Sequence, residues 1–190
     1  MSKIYTRTGD DGTTGLLFGG RVRKDHPAPA ACGDVDEAQA ALGMARALAG
    51  AGSETGVDPG RDELSQILVD LERDLWVLMA ELATAPENRH RLVPGRTLVT
   101  AEMVSALEPR IDDVTSRFSL KEFVLPGQTP VSAALDVART VVRRAERTTL
   151  AAAADGSLTV PYLNRLSDLL WALARWQEGE PLPSRPPTED

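Results

Sequence analysis

Residues 123–147 read FVLPGQTPVSAALDVARTVVRRAER, and this stretch decides the fold. A short apolar run and the turn Pro126-Gly127 lead into Thr129-Pro130, a capping residue followed by a proline at the first helical position, so a helix starts there. At about 100° per residue, Ala134, Val137, Ala138, Val141 and Ala145 lie on one side of it, and Arg139, Arg143 and Glu146 share an arc of roughly 60° on the other. The first side is expected to pack and the second to carry charge. A merely solvated face would also look amphipathic, but such faces usually mix signs. Here Arg139, Arg143, Arg144 and Arg147 share the second half of the helix with Glu146 alone. Guanidinium groups clustered on a rigid helix suit a polyanion such as a triphosphate.

The chain around this helix has 190 residues, of which 42% are hydrophobic, and that is enough to bury one core. One domain over residues 1–178 is therefore expected: an N-terminal segment 1–25, a helical body 34–177 and a flexible tail 179–190. No run approaches the roughly 18 apolar residues of a membrane span, and the opening MSKIYTRTGDDG is too polar for a signal peptide, so a cytoplasmic protein is expected. The single Cys32 excludes an internal disulfide. A net charge of −7 and 4% aromatics argue against general nucleic-acid binding, so the arginine face, if it is a site, is a local one for a small anion.

Upstream, residues 4–20 read IYTRTGDDGTTGLLFGG, a turn-rich loop without the GK[ST] ending of a Walker P-loop. Its glycine turns present backbone N–H groups, and Thr6, Thr8, Thr13 and Thr14 offer hydroxyls, a combination that can hold phosphate oxygens. Lys24 adds a cation. Helical spacing then predicts a first helix over Asp34–Leu48, with Asp34, Asp36 and Glu37 in its first turn, where carboxylates offset the macrodipole. A second runs over Arg61–Thr84, with Trp76 beside its leucine stripe and expected to pack. A third is capped by Thr100 and buries Met103, Val104, Leu107, Ile111 and Val114. The fourth is the arginine helix. The fifth, over Pro161–Gln177, carries Leu163, Leu166, Leu170 and Leu173, with Asn164 and Asp168 on a neighbouring stripe. Residues 178–190, EGEPLPSRPPTED, are too rich in proline and charge to fold. With no sustained strand alternation, the fold class is all-α, a five-helix bundle with an extended N-terminal phosphate-binding loop.

Several chemistries drop out. His26 and His90 are the only histidines and both fall in predicted loops, so no Glu-x-x-His pair exists for a di-iron site. One cysteine and two loop histidines make neither a zinc site nor a Cys-His nucleophile. GxSxG and GxGxxG are absent.

Four blocks, TRTGDDGTTGL at 6–16, GDVDE at 33–37, FVLPGQ with ARTVVRRAER at 123–147, and YLNRLSD at 162–168, together resemble the PduO-type ATP:cob(I)alamin adenosyltransferases. The resemblance implies a trimeric five-helix bundle with active sites between subunits. There Co(I) of reduced cobalamin attacks the 5′-carbon of ATP and expels triphosphate. It implies Thr6, Arg7, Thr8, Gly9, Thr14, Gly15 and Lys24 as the N-terminal ATP-binding segment, completed by Arg143, Arg144, Glu146, Arg147 and Asn164. Arg143 would be the chief triphosphate contact, and Glu146 would help hold Mg²⁺ or the nucleoside. Arg139 would pair with Asp36 of a neighbouring subunit near the corrinoid, and Phe123 would be the apolar wedge that keeps the lower axial ligand off cobalt. ATP, Mg²⁺ and cobalamin are thus the implied ligands. A flavin or flavoprotein reductase and an adenosylcobalamin-dependent enzyme are the implied partners. Gly15, Cys32, Gln39, Gln128 and Asp136 depart from the usual residues of that pattern. Two other readings compete: a module that binds and delivers adenosylcobalamin with little turnover, and a structural trimer that uses the arginines only for interface pairs.

Overall fold

The computed structural model describes residues 4–50, 59–119 and 123–185. In chain order these form β1 (Thr13–Gly15), β2 (Arg21–Arg23), α1 (Pro27–Gly50), α2 (Pro59–Leu82), a 3₁₀ helix (Pro86–Arg91), α3 (Ala101–Ser105), α4 (Leu107–Thr115), β3 (Val124–Leu125), α5 (Pro130–Thr149), α6 (Thr159–Trp176) and β4 (Leu182–Pro183). The expected helical bundle is present, with its third helix in two pieces. Pro109, in the first turn of α4, has no N–H to bond the carbonyl of Ser105, so one continuous helix cannot form across Ala106.

The core lies where α1 packs on α2 and α5, and α5 on α6. α1 contributes mostly small side chains, Ala31, Val35, Ala38, Ala45 and Ala49 with Leu42, all buried; α5 answers with Ala134, Ala138, Ala145, Leu135 and Val142. Small residues on both faces permit close packing of the two axes. The larger leucines come from α2 (Leu64, Leu68, Leu71, Leu75, Leu78) and α6 (Leu163, Leu166, Leu169, Leu170, Leu173), each worth about 1.5–3 kcal/mol of transfer free energy when fully buried.

α5 begins as its sequence requires. Thr129 Oγ1 accepts from Ser132 N at 3.0 Å, Ser132 Oγ accepts from Thr129 N at 3.1 Å, and Pro130 opens the helix. Thr100 caps α3 by accepting from Met103 N at 3.3 Å.

Several expectations need correction. α1 starts at Pro27, seven residues before Asp34, with Pro27 and Pro29 in the first turn, where missing N–H groups cost nothing, and Ala28 N donating to His26 Nδ1 at 3.2 Å. Asp34, Asp36 and Glu37 therefore lie beyond the first turn, and the macrodipole does not explain them. Trp76 is 64% exposed rather than packed, and Val137 on α5 is also exposed. Short strands exist: β1 and β2 pair antiparallel with Thr14 opposite Val22, and β3 pairs with β4. The tail is accordingly held through its first part, with Leu125 opposite Leu182, Ser184 N donating to Phe123 O at 2.8 Å, and Glu178 buried. Residues 186–190 of the expected tail, and 51–58 of the expected loop at 49–60, lie outside the described residues.

Candidate active site

The N-terminal segment is a hairpin with an internal frame. Asp11 accepts from Thr13 N at 2.9 Å and from Thr13 Oγ1 at 2.8 Å, and these bonds hold its carboxyl below the usual range. Thr13 Oγ1 in turn accepts from Arg21 Nη2 at 2.6 Å, and the same nitrogen donates to Thr8 O at 2.5 Å. Thr13 is thus part of the frame, while Thr6 and Thr8, whose hydroxyls are 2.8 Å apart, stand on the exposed side with Arg7. Arg7 has φ +62° and Gly12 φ +81°, so the chain doubles back twice within six residues. Lys24 closes the loop: its backbone N donates to Gly12 O at 2.9 Å, and its side chain runs over Gly9 so closely that a Cβ there would sit 3.2 Å from Nζ. Sequence reasoning missed Arg21 and Asp11. Their role shows only once β1 and β2 pair and bring residue 21 beside residues 8 and 13.

On α5 the four arginines sort into two kinds. Arg144 binds Asp34 and Glu37 of α1, and Thr148 Oγ1 donates to Asp34 Oδ2 at 2.7 Å, so Arg144, expected in the anion site, ties α1 to α5. Arg139 Nε donates to Asp136 Oδ1 at 3.0 Å. Asp136 is buried and also holds Arg175 at 2.5 Å, so its charge is spent inside the bundle rather than on the arginine face. Arg143 and Arg147 are exposed. Among the described residues the Arg143 side chain has no hydrogen-bond or ion-pair partner, and Arg147 has no carboxylate partner, only Arg143 O at 2.8 Å. Beside them Glu146 Oε1 accepts from Asn164 Nδ2 at 3.0 Å, and Asn164 Oδ1 accepts from Arg165 Nη1 at 2.8 Å. The result is two guanidinium groups without a carboxylate partner among the described residues, beside one positioned carboxylate, a set whose chemistry suits a polyanion.

Asp36 is exposed and has no ion-pair partner among the described residues. It lines a cleft of about 310 Å³ with Thr14, Gly15, Cys32, Trp76 and Met79, which joins the hairpin to the α1–α2 face. Burial, with Asp36 adding to it, pushes the Cys32 thiol above its ordinary range, so it is protonated and unreactive near neutrality. Phe123 projects at the start of β3 with 88% of its surface exposed. None of the hydrogen bonds or ion pairs described for residues 4–24 reaches α5.

Residues 4–177 match the family described as Cobalamin adenosyltransferase. The chain belongs to the cobalamin adenosyltransferase family. It is 41% identical over 181 residues to the corrinoid adenosyltransferase of Mycobacterium tuberculosis strain H37Rv, covering 92% of this chain and 88% of that protein. It is 38% identical over 182 residues to the corrinoid adenosyltransferase PduO of Salmonella typhimurium, covering 93% of this chain and 50% of that longer protein. Among solved structures, a variant PduO-type ATP:corrinoid adenosyltransferase from Lactobacillus reuteri complexed with cobalamin and ATP superposes with a TM-score of 0.82 at 30% identity, over 97% of this chain and all of that one. A second variant of the same enzyme, complexed with ATP, gives 0.80 at 29% identity, over 96% of this chain and 100% of that one. The family match and both superpositions extend over the helical body and the N-terminal segment described above. No described helix is long and apolar enough to cross a membrane.

Proposed function

We propose that the protein transfers the 5′-deoxyadenosyl group of ATP to cob(I)alamin, giving adenosylcobalamin and triphosphate. The observation that carries the reading is the exposed guanidinium of Arg143, unpartnered among the described residues and set beside Arg147 and the Glu146–Asn164 pair on a capped helix. In the reaction the Co(I) electron pair forms the bond to C5′, the C5′–O bond breaks, and its electrons leave on the triphosphate. Charge therefore develops where Arg143 and Arg147 stand, and fixed cations there favour the transition state without reorganising. The corrinoid supplies the nucleophile and the protein supplies position and charge. Among the described residues no cluster of three or more histidine, cysteine or acidic side chains could cage a metal. Mg²⁺ is usually held by one or two carboxylates together with substrate phosphates, and Glu146 fits the protein's share of such a site.

The hairpin would supply Thr6, Arg7, Thr8, Gly9, Thr14, Gly15 and Lys24 to the same ATP. Because none of its described hydrogen bonds or ion pairs reaches α5 in its own chain, it would meet the Arg143 face of a neighbour in a homotrimer. The exposed Asp36, and the Nη groups of Arg139 left free by its Nε bond to Asp136, support the proposed pair between subunits. Electrons would come from a flavin or flavoprotein reductase in the cytoplasm, and the product would serve an adenosylcobalamin-dependent enzyme. Mixing the protein with ATP and chemically reduced cobalamin tests the reading: adenosylcobalamin and inorganic triphosphate should form in equal amounts. Binding of both ligands without product would favour the delivery module instead.

Gly9→Ala would force Thr13 O and the Lys24 side chain, 3.1 and 3.2 Å from the new methyl, to give way. ATP affinity is expected to fall about tenfold, near 1.4 kcal/mol, with the melting temperature unchanged, as calorimetric titration and thermal unfolding would show.

Phe123 is too exposed to be the core phenylalanine that its apolar neighbours in sequence would suit. Phe123→Ala should therefore leave stability within about 0.5 kcal/mol. As the wedge beneath the corrin, its loss would let water or the base return to cobalt, so the spectrum of ATP-bound cob(II)alamin should lose its four-coordinate species. A variant that kept that species would remove Phe123 from the corrinoid site.

A further inference from the structure

We propose that Arg91, which touches none of the residues assigned to ATP, is a positioning residue for the nucleotide: it latches the turn between β1 and β2 to the 3₁₀ helix that follows α2 and so fixes where the phosphate-binding hairpin lies. The inference rests on the adenosyltransferase reading.

The turn is strained and is held partly from outside. Phe18 has φ +65°, a left-handed backbone that bulky side chains adopt only at a cost, and Gly19 and Gly20 follow at +104° and +91°. Three successive residues at positive φ belong to no helix or strand. Within the turn Gly19 N donates to Leu16 O at 3.2 Å and Leu16 N to Gly20 O at 3.0 Å, and the bundle adds further bonds, among them Asn88 Nδ2 to Gly19 O at 3.5 Å. Leu17 N donates to Ala83 O at 2.8 Å, just beyond the last residue of α2. Arg91 Nη1 donates to Phe18 O at 3.1 Å, and its guanidinium carbon stands 4.5 Å from the centre of the Phe18 ring, within cation–π range. One side chain thus grips both the backbone and the ring of the strained residue.

The 3₁₀ helix that carries Arg91 is itself anchored. Two residues earlier Arg89 Nη2 reaches Glu81 Oε1 at 3.0 Å, and Glu81, on α2, is only 2% exposed. Glu81 also accepts from Ser157 Oγ at 2.7 Å and Val99 N at 2.8 Å, so its carboxylate gathers three separate segments of chain. Arg89 points down into the bundle and Arg91 up to the hairpin. From the turn the position passes through the Gly15–Arg21 pairing to Arg21, whose bonds to Thr13 Oγ1 and Thr8 O shape the loop that faces ATP.

A residue acting this way changes ground-state and transition-state binding of ATP alike, which raises KM and spares kcat. Steady-state kinetics on the full chain, with ATP and cob(I)alamin varied independently, and thermal unfolding should be compared for the parent, Arg91→Ala, Arg91→Lys and Phe18→Leu. Arg91→Ala is expected to raise KM for ATP about tenfold, near 1.4 kcal/mol, with kcat and KM for the corrinoid within about twofold and an unshifted melting temperature. Arg91→Lys, which keeps a cation and a donor, should recover most of the loss. Phe18→Leu, which keeps the carbonyl and loses the ring, should fall between and carries the test if Arg91→Ala does not fold. An unchanged KM for ATP, or a loss spread over both substrates with a lower melting temperature, overturns the latch. A parent that makes no adenosylcobalamin at all overturns the proposed activity instead.

Discussion

Arg143→Ala should lower kcat by about 10² to 10³ while leaving the melting temperature close to that of the parent, because in the proposed reaction its charge would face the departing triphosphate, and among the described residues its side chain has no partner. The stability half follows from exposure: among the described residues the side chain has no partner, and losing such a group changes folding by no more than about 0.5 kcal/mol. The rate half follows from timing. ATP already carries charge in the ground state, but the bond from C5′ to oxygen places a further negative charge on the phosphate chain as it breaks. An arginine held on a capped helix senses that increment most strongly in the transition state. Arg144 is the comparison on the same helix, since its guanidinium is occupied by Asp34 and Glu37 and its loss should be read in stability before rate. Single-turnover formation of adenosylcobalamin, measured with saturating ATP, checks the prediction. An Arg143→Ala variant within a few-fold of the parent would take Arg143 out of the site.

Features set by adjacent residues were readable in advance, and features set by distant ones were not. Thr129-Pro130 announced the start of α5 because a cap is a contract among four neighbouring residues. The leucine stripes of α2 and α6 were plain for the same reason, since period alone places them. α1 was read seven residues short: its first turn holds two prolines and is capped by a histidine ring nitrogen, and both resemble loop chemistry. The arginine excess on α5 was visible, but which arginines are free was not. Asp34 and Glu37, which neutralise Arg144, lie more than a hundred residues away. The same holds for the frame of the hairpin, where Arg21 meets Thr8 and Thr13 only after β1 pairs with β2. Pairing of β3 with β4 was likewise hidden, because two residues on each side leave no alternation to detect.

Asp136→Ala is expected to destabilise the protein by about 3–5 kcal/mol, the usual cost of removing one partner from a buried ion pair. Asp136 stands one helical turn before Arg139, and its two oxygens are divided: Oδ1 accepts from Arg139, Oδ2 from Arg175. The side chain of Arg175 is 3% exposed, so without Asp136 its guanidinium would stay buried with Glu178 as its remaining counter-charge. Glu178 is a poor substitute. Arg175 Nε lies 2.9 Å from its Oε2, but at an angle outside hydrogen-bond geometry, and neither carboxylate oxygen has a hydrogen-bond partner. Burial already pushes the Glu178 carboxyl above its ordinary range, opposed by the charge of Arg175. The damage would also spread along the chain, because Thr129 Oγ1, at the cap of α5, donates to Gln177 O at 3.0 Å where α6 ends and the return toward β4 begins. Loosening that junction releases the strand whose Ser184 N holds the carbonyl of Phe123. Denaturant unfolding of the parent, Asp136→Asn and Asp136→Ala would measure the effect, with the asparagine variant, which keeps an acceptor but loses the charge, falling between. A loss under about 1 kcal/mol for Asp136→Ala, the range of an exposed pair, would show that Glu178 alone satisfies Arg175.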